Sequence, residues 1–481
     1  DAHVHPVQGG LERMRCDLSG QLTRDGYLGT IRAYADRHPY VAWVTGGGWS
    51  LSAFPGGTPT AADLDSVVRD RPVFLPNRDH HGAWANSTAL RLAGVDARTP
   101  DPADGRIERD AHGNPTGMLH EGAMSLVGRL LPPTTHEEGK AALLEAQRYL
   151  HSLGITAWQD AILGDYSTMN DPSEAYLDLA TEGLLTARVV GALWWERDRG
   201  AEQIPELVER RRRYQAGRFR ATSVKIMQDG VPENFTAAML DPYFDGRSGR
   251  TDNTGLSFVD PVALREHVSA LDAEGFQVHV HAIGDRAVRE ALDAFEAARD
   301  KVGPTDNRHH VAHIQVVHPD DVSRFRRFGV TANMQPLWAT YEPQMVELTI
   351  PFLGTERAGW QYPFAALARS GTSLACGSDW PVSSPDPLLG IHVAVNRHWP
   401  EGGVDEGYGA FLPEQALDLS TALTAYTAGS AYVNHLDDTG SIAVGKLADL
   451  AVLDRDPFAG AAEEIASTSV VATYVEGEQV Y

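Results

Sequence analysis

Short runs rich in Val, Ile, Ala and Thr alternate along this chain with stretches whose apolar residues recur at helical spacing. Eight such β-type runs are read, at residues 1–5, 154–160, 186–195, 223–230, 277–285, 309–317, 330–336 and 373–381. Most end in polar, Gly or Pro residues, as strand ends do. Helix patterns fall between them at 136–153, 261–274 and 286–299, the last carrying Ala287, Val288, Ala291, Leu292 and Phe295 on one face. Alternating β and α units imply a parallel sheet, and eight units imply a closed α/β barrel.

Two regions fall outside the eightfold count. Between the first and second runs, about 20–150 reads as an inserted subdomain with strand-like segments at 40–49 and 72–76. From about Gly440 the pattern becomes short strands separated by turns, at 441–445, 448–454 and 470–481, with Glu476-Gly477 as a hairpin turn. The expected division is a barrel over 1–430 and a small β unit over 431–481. That unit is too small to hold a core alone and needs partner strands. The chain opens on Asp1-Ala2-His3-Val4-His5, inside an element and without Met, so an upstream segment is expected to be absent.

Composition narrows the partners. Lys and Arg number 41 against 65 Asp and Glu, a net charge of −24, which argues against nucleic acid. No apolar run of about 18 residues exists, so no membrane span is expected. Cys16 and Cys376 are far apart in sequence, which suits a reducing, cytoplasmic compartment, although the missing start leaves an export signal open. The 19 histidines are the informative count, because several cluster at the ends of the β-type runs, where parallel barrels carry their chemistry.

His3 and His5 are two apart, so a strand puts both on one face. That suits joint ligation of one ion, or simply two polar residues at a chain start. Lys225 sits between Val224 and Ile226; burial would favour its neutral amine, which can add CO2 to give a carbamate. The bland alternative is a surface lysine. His279 and His281 are again two apart. In the sixth run, His313 is the best ligand candidate, while His309 and His310 read as surface or supporting residues. Asp379, before Trp380 and Pro381, is a candidate ligand and proton shuttle, or a turn aspartate. Taken together, His, Lys and Asp on runs one, four, five, six and eight suit a borderline divalent metal such as zinc in a catalytic centre.

The stretches DAHVHP, RDHHGAWANSTAL, SVKIMQDGVPENFTAAML, VHVHAIGDRAV, HHVAHIQ, CGSDWPV and GSIAVGKLADLAVLD span nearly the whole chain. In these the sequence resembles the amidohydrolase superfamily, in particular its family-3 branch of N-substituted formamide deformylase-like hydrolases. The resemblance implies a distorted (β/α)8 TIM barrel with a small β-sandwich formed by both termini, whose N-terminal part is missing here. It implies two divalent cations, zinc first and Fe, Mn or Ni as alternatives. His3 and His5 match ligands of the first, a carboxylated Lys225 matches the bridge, and His281 and His313 match ligands of the second. Asp379 matches the aspartate that ligates and moves protons. His81, with Asp79 before it, and Glu121 match motifs expected to face the pocket.

The implied reaction is hydrolysis of an amide-type C–N bond in a small molecule, such as an N-substituted formamide or acyl amide, by a hydroxide bridging two metals. His81 is a candidate catalytic donor. Trp49, Trp195, Trp338 and Trp380 are candidate linings for an apolar substrate, or ordinary core aromatics. A single-metal deaminase, an ester hydrolase and a non-catalytic regulatory relative are the alternatives. A homodimer is compatible with this reading.

Overall fold

The computed structural model describes residues 1–166, 170–247, 249–405 and 407–481. A six-stranded mixed sheet comes first: β1 (Cys16–Asp17), β2 (Val44–Gly47), β3 (Val73–Pro76), β4 (Gly82–Ala85), β5 (Gly105–Arg109) and β6 (Pro115–Glu121), ordered β1-β2-β3-β4-β6-β5. It carries its own apolar cluster, built around Tyr27, Trp49, Leu75 and Trp84.

The main sheet follows, with β7 (Ala157–Leu163), β8 (Arg188–Trp194), β9 (Gln215–Ala216), β10 (Phe219–Met227), β11 (Gln277–Ala282), β12 (His310–His313), β13 (Thr331–Met334) and β14 (Leu374–Cys376). Its order is β14-β13-β12-β11-β10-β8-β7, all parallel, with the short β9 antiparallel to β10. Its central strands are buried on both faces, as parallel strands flanked by helices must be. The helices that the spacing predicts form at His136–Ser152, Pro261–Ala273 and Asp285–Val302. The first starts at a capping box in which Thr135 and Glu138 satisfy each other's backbone N–H groups.

Residues 1–5 form no long strand, yet they lie between the two edges of this curled sheet. Val4 N–H donates to Gln159 O at 3.1 Å, and Ala161 N–H to Val4 O at 2.9 Å, on the β7 side. On the β14 side, Ala2 N–H donates to Cys376 O at 2.9 Å and Asp379 N–H to His3 O at 2.8 Å. The segment therefore takes the eighth parallel position and uses edge groups that would otherwise stay unpaired. Gly377 makes the close approach possible: a Cβ there would lie 2.6 Å from both His3 N and His3 Cβ. Gly377→Ala is therefore expected to cost about 1–3 kcal/mol of stability by overpacking. Calorimetric unfolding checks this, and an unchanged melting temperature would contradict the close contact.

The C-terminal strands β15 (Leu450–Leu453), β16 (Val470–Val475) and β17 (Glu478–Gln479) make an antiparallel sheet. Glu476 and Gly477, both at positive φ, form the expected hairpin turn. The expected strand at 441–445 does not form. Lys446 N–H closes a turn on Ala443 O, and Ile442 and Val444 are fully in solvent, so the run has no strand partner among the described residues. The sheet docks through Arg188, which ion-pairs with Asp449 and Glu476, and through Thr473, whose hydroxyl donates to His151 O. No described helix is long and apolar enough to cross a membrane.

Candidate metal centre

The side chains that end the parallel strands converge on one cavity of about 410 Å³. His3, His5, Lys225, His281, His313 and Asp379 all line it, and all are buried. The Nε2 atoms of His3 and His5 lie 3.1 and 2.9 Å from Asp379 Oδ1. Lys225 Nζ is 3.5 Å from His3 Nε2. The ring of His313 lies 4.7 Å from that of His3 and 4.4 Å from that of His281, centroid to centroid. Two of these residues sit in strained backbone: His313 has φ 76° and Asp379 φ 56°. Such non-glycine conformations cost on the order of 1–3 kcal/mol each and persist where the surroundings over-determine them.

The electrostatics favour a bound cation. Burial, reinforced by Lys225, pulls His3 down to about 3, so its ring is neutral. Burial pushes Asp379 up, but its contacts with His3 and His5 hold it well below the usual carboxylate range. Two ring nitrogens and a carboxylate oxygen thus meet within about 3 Å in a buried site, a grouping that a divalent cation can hold together. Burial also holds His281 and His313 well below the ordinary imidazole value. His5 Nδ1, His281 Nε2 and His313 Nδ1 are buried without a hydrogen-bond partner among the described residues. Orphaned buried nitrogens are costly unless a bound group satisfies them. Three potential ligand atoms, from His3, His5 and Asp379, lie within 4.8 Å of one another. The donor set fits a divalent metal. Burial lowers Lys225 to about 7, which leaves much of its amine neutral near pH 7.

His81 and Glu121 arrive from the first sheet. His81 precedes β4 and Glu121 ends β6, and the antiparallel pairing of these strands brings them together, with Glu121 N–H donating to His81 O. His81 Nδ1 is 2.9 Å from Glu121 Oε2. Glu121 Oε1 also accepts from the Thr236 hydroxyl at 2.8 Å. Burial disfavours the imidazolium, but the Glu121 carboxylate overrides it and pushes His81 up to about 9. His81 lines the cavity, whereas Glu121 stands behind it. Asp79 caps the turn by accepting from His81 N–H at 2.9 Å.

Of the tryptophans, Trp338 and Trp380 line the cavity, and Trp338 stacks on His313 at 5.2 Å with an interplanar angle of 3°. Trp49 lies elsewhere. It packs against Phe54 and Trp84 in the first sheet's core, and its Nε1–H donates to Leu75 O. Trp195 is also buried away from the cavity, and its neighbour Trp194 faces in instead. Strand alternation sends adjacent residues to opposite faces, so a one-residue error in reading a strand end exchanges them. The sequence reading also missed Tyr166, which follows β7, and Glu233, in a single 3-10 turn at Pro232–Asn234, two further lining residues with no local pattern to reveal them.

Comparison with known proteins adds to this geometry. A family model described as the amidohydrolase family matches residues 1–481. The chain belongs to the amidohydrolase family. Protein LONG AFTER FAR-RED 3 of Arabidopsis thaliana is 32% identical over 493 residues, covering 100% of this chain and 81% of that protein. Putative amidohydrolase YtcJ of Bacillus subtilis (strain 168) is 30% identical over 487 residues, covering 100% and 88%. N-substituted formamide deformylase of Arthrobacter pascens is 25% identical over 513 residues, covering 99% and 86%. Among solved structures, an uncharacterized metal-dependent hydrolase from Pyrococcus horikoshii OT3 superposes with a TM-score of 0.70 and 26% identity, covering 95% of this chain and 85% of that one. The fold is thus shared with a solved metal-dependent hydrolase.

Proposed function

We propose that this amidohydrolase-family hydrolase cleaves an amide-type C–N bond of a small molecule, an N-substituted formamide or acyl amide, at a centre of two divalent cations. Zinc is the first candidate. His3, His5 and Asp379 would hold one ion, His281 and His313 the other, and a carboxylated Lys225 would bridge them. The observation that carries this reading is the convergence of His3, His5, Lys225, His281, His313 and Asp379 on one buried cavity, with ring nitrogens of His5, His281 and His313 left without a hydrogen-bond partner among the described residues. The likeness to N-substituted formamide deformylase supports the amide class. Residues 1–430 would form the catalytic unit, with 431–481 packed against it.

Bound divalent ions supply Lewis-acid polarisation of a carbonyl and a water of lowered pKa. The chain's own groups do the rest. Asp379 Oδ accepts the proton of the attacking water and delivers it to the amide nitrogen, which leaves readily only when protonated. His81, kept as an imidazolium by Glu121, donates to the oxygen that becomes negative in the tetrahedral state. Trp338 and Trp380 give the cavity apolar walls that hold an apolar substituent and exclude water. A screen of formamides, acyl amides and esters against protein loaded with zinc tests the reading. Amide turnover that a chelator abolishes is expected, and turnover of esters alone would contradict it.

The His81–Glu121 pair makes a separate prediction. The folded pKa of His81 is raised above its ordinary value, to about 9. Its contribution to stability is therefore full below about pH 6.5 and is lost as pH rises through about 9. The melting temperature of wild type relative to Glu121→Gln should show its largest advantage near pH 6 and lose it by about pH 10. A constant difference across that range would contradict the ion pair.

A further inference from the structure

His279 lies beneath the candidate ligands, and its hydrogen bonds leave little freedom to the proton of His3. A chain of hydrogen bonds leads to it from Gln277, at the opposite end of β11. Gln277 Nε2 faces two backbone carbonyls, those of Arg308 and Val433, so that end of the amide must be the nitrogen. Gln277 Oε1 is then an acceptor, and Gln159 Nε2 donates to it at 2.9 Å and to Asn434 Oδ1 at 2.9 Å. Gln159 Oε1 is left facing two histidines, His279 Nδ1 at 2.7 Å and His310 Nε2 at 3.1 Å. A carbonyl oxygen only accepts, so both ring nitrogens carry hydrogen. His310 Nδ1 in turn accepts from Asn333 Nδ2, which also donates to Ala2 O. Gln159, His279 and His310 are fully buried, so water does not offer an alternative partner.

With hydrogen on Nδ1, neutral His279 has a lone pair on Nε2, and that atom lies 2.9 Å from His3 Nδ1. We propose that His279 is a positioning residue: by accepting from His3 Nδ1–H it fixes the His3 ring and reserves His3 Nε2 for a metal ion. Gln277 and Gln159 set the direction of the relay, which runs from two backbone carbonyls to the candidate centre. The metal part of this inference rests on the reading under Proposed function, whereas the position of the proton does not. Partners that orient a ligating histidine are worth about 10–100-fold in metal affinity.

Two measurements on the full-length, chelator-treated chain test it. In 15N-histidine-labelled wild type, the His3 signal, assigned by its loss in His3→Gln, is expected to show a protonated Nδ1. A bare Nδ1 would overturn the proposal, and this result needs no folded variant at position 279. In zinc titrations, His279→Phe removes the acceptor while keeping a ring, and its affinity is expected to fall about 10–100-fold. His279→Gln, whose amide oxygen can take the place of Nε2, is expected to stay within a few-fold of wild type. Equal zinc affinity in His279→Phe and wild type would also overturn the proposal. A protonated Nδ1 and weakened zinc binding in a chain that hydrolyses no amide would uphold it and overturn the proposed reaction instead. Amide turnover with a bare His3 Nδ1 would do the reverse.

Discussion

Asp379→Asn is expected to lower kcat for amide hydrolysis by about 10²–10⁴-fold, the usual worth of a positioned acid–base group. Asparagine keeps the size and one oxygen of the side chain but cannot take up a proton. Asp379 is buried, lies at 2.9–3.1 Å from two histidines, and is held well below the usual carboxylate range. The substitution removes a negative ligand as well, so metal content must be read beside the rate. The expected signature is a loss of kcat much larger than the loss of bound metal, with KM little changed. That pattern follows because proton transfer acts in the transition state and not in substrate binding. A kcat within a few-fold of wild type would remove Asp379 from the chemistry.

Lys225→Met should have an effect of similar size by another route. Methionine fills nearly the same volume in the strand but cannot add CO2. Lys225 stands on β10 between Trp194 of β8 and His279 of β11, with its Nζ 3.5 Å from His3 Nε2. Burial brings its amine to about 7, so the neutral form that reacts with CO2 is well populated near neutral pH. Losing the bridge is expected to reduce the metal content from about two ions per chain to one or fewer. Several kcal/mol of Lewis-acid stabilisation would go with it, a rate loss on the order of 10³-fold. Metal analysis beside a rate assay reads both. An unchanged metal count would sink the bridging role.

Much of this arrangement was legible in the sequence, for physical reasons. The period of two in His3/His5 and His279/His281 fixes a shared face, and the rule that parallel strands present chemistry at their C-terminal ends fixes where that face leads. The structure brings all six expected ligand residues to one cavity. Depth was not legible. His279 and His281 share a face, yet one lies against Gln159 and His3 while the other reaches the cavity. That difference is set by how far along the strand the ligands sit, not by local pattern. The partnership of His81 with Glu121 was equally hidden, because it depends on the pairing of β4 with β6 across 40 residues. Trp49 shows the same limit from the other side. An aromatic near a strand end reads alike whether it faces a pocket or a core, and here the first sheet's own core claimed it. The segment 441–445 carried strand-forming residues but had no neighbour to pair with among the described residues, and pairing, not propensity, decides a strand.

The most direct test is a zinc titration of the metal-free, full-length chain in bicarbonate buffer, following amide hydrolysis as the metal is added. Activity should be absent at the start, rise with each addition, and level off at about two equivalents per chain. Hydrolysis without metal, or a plateau at a single equivalent, would contradict the account.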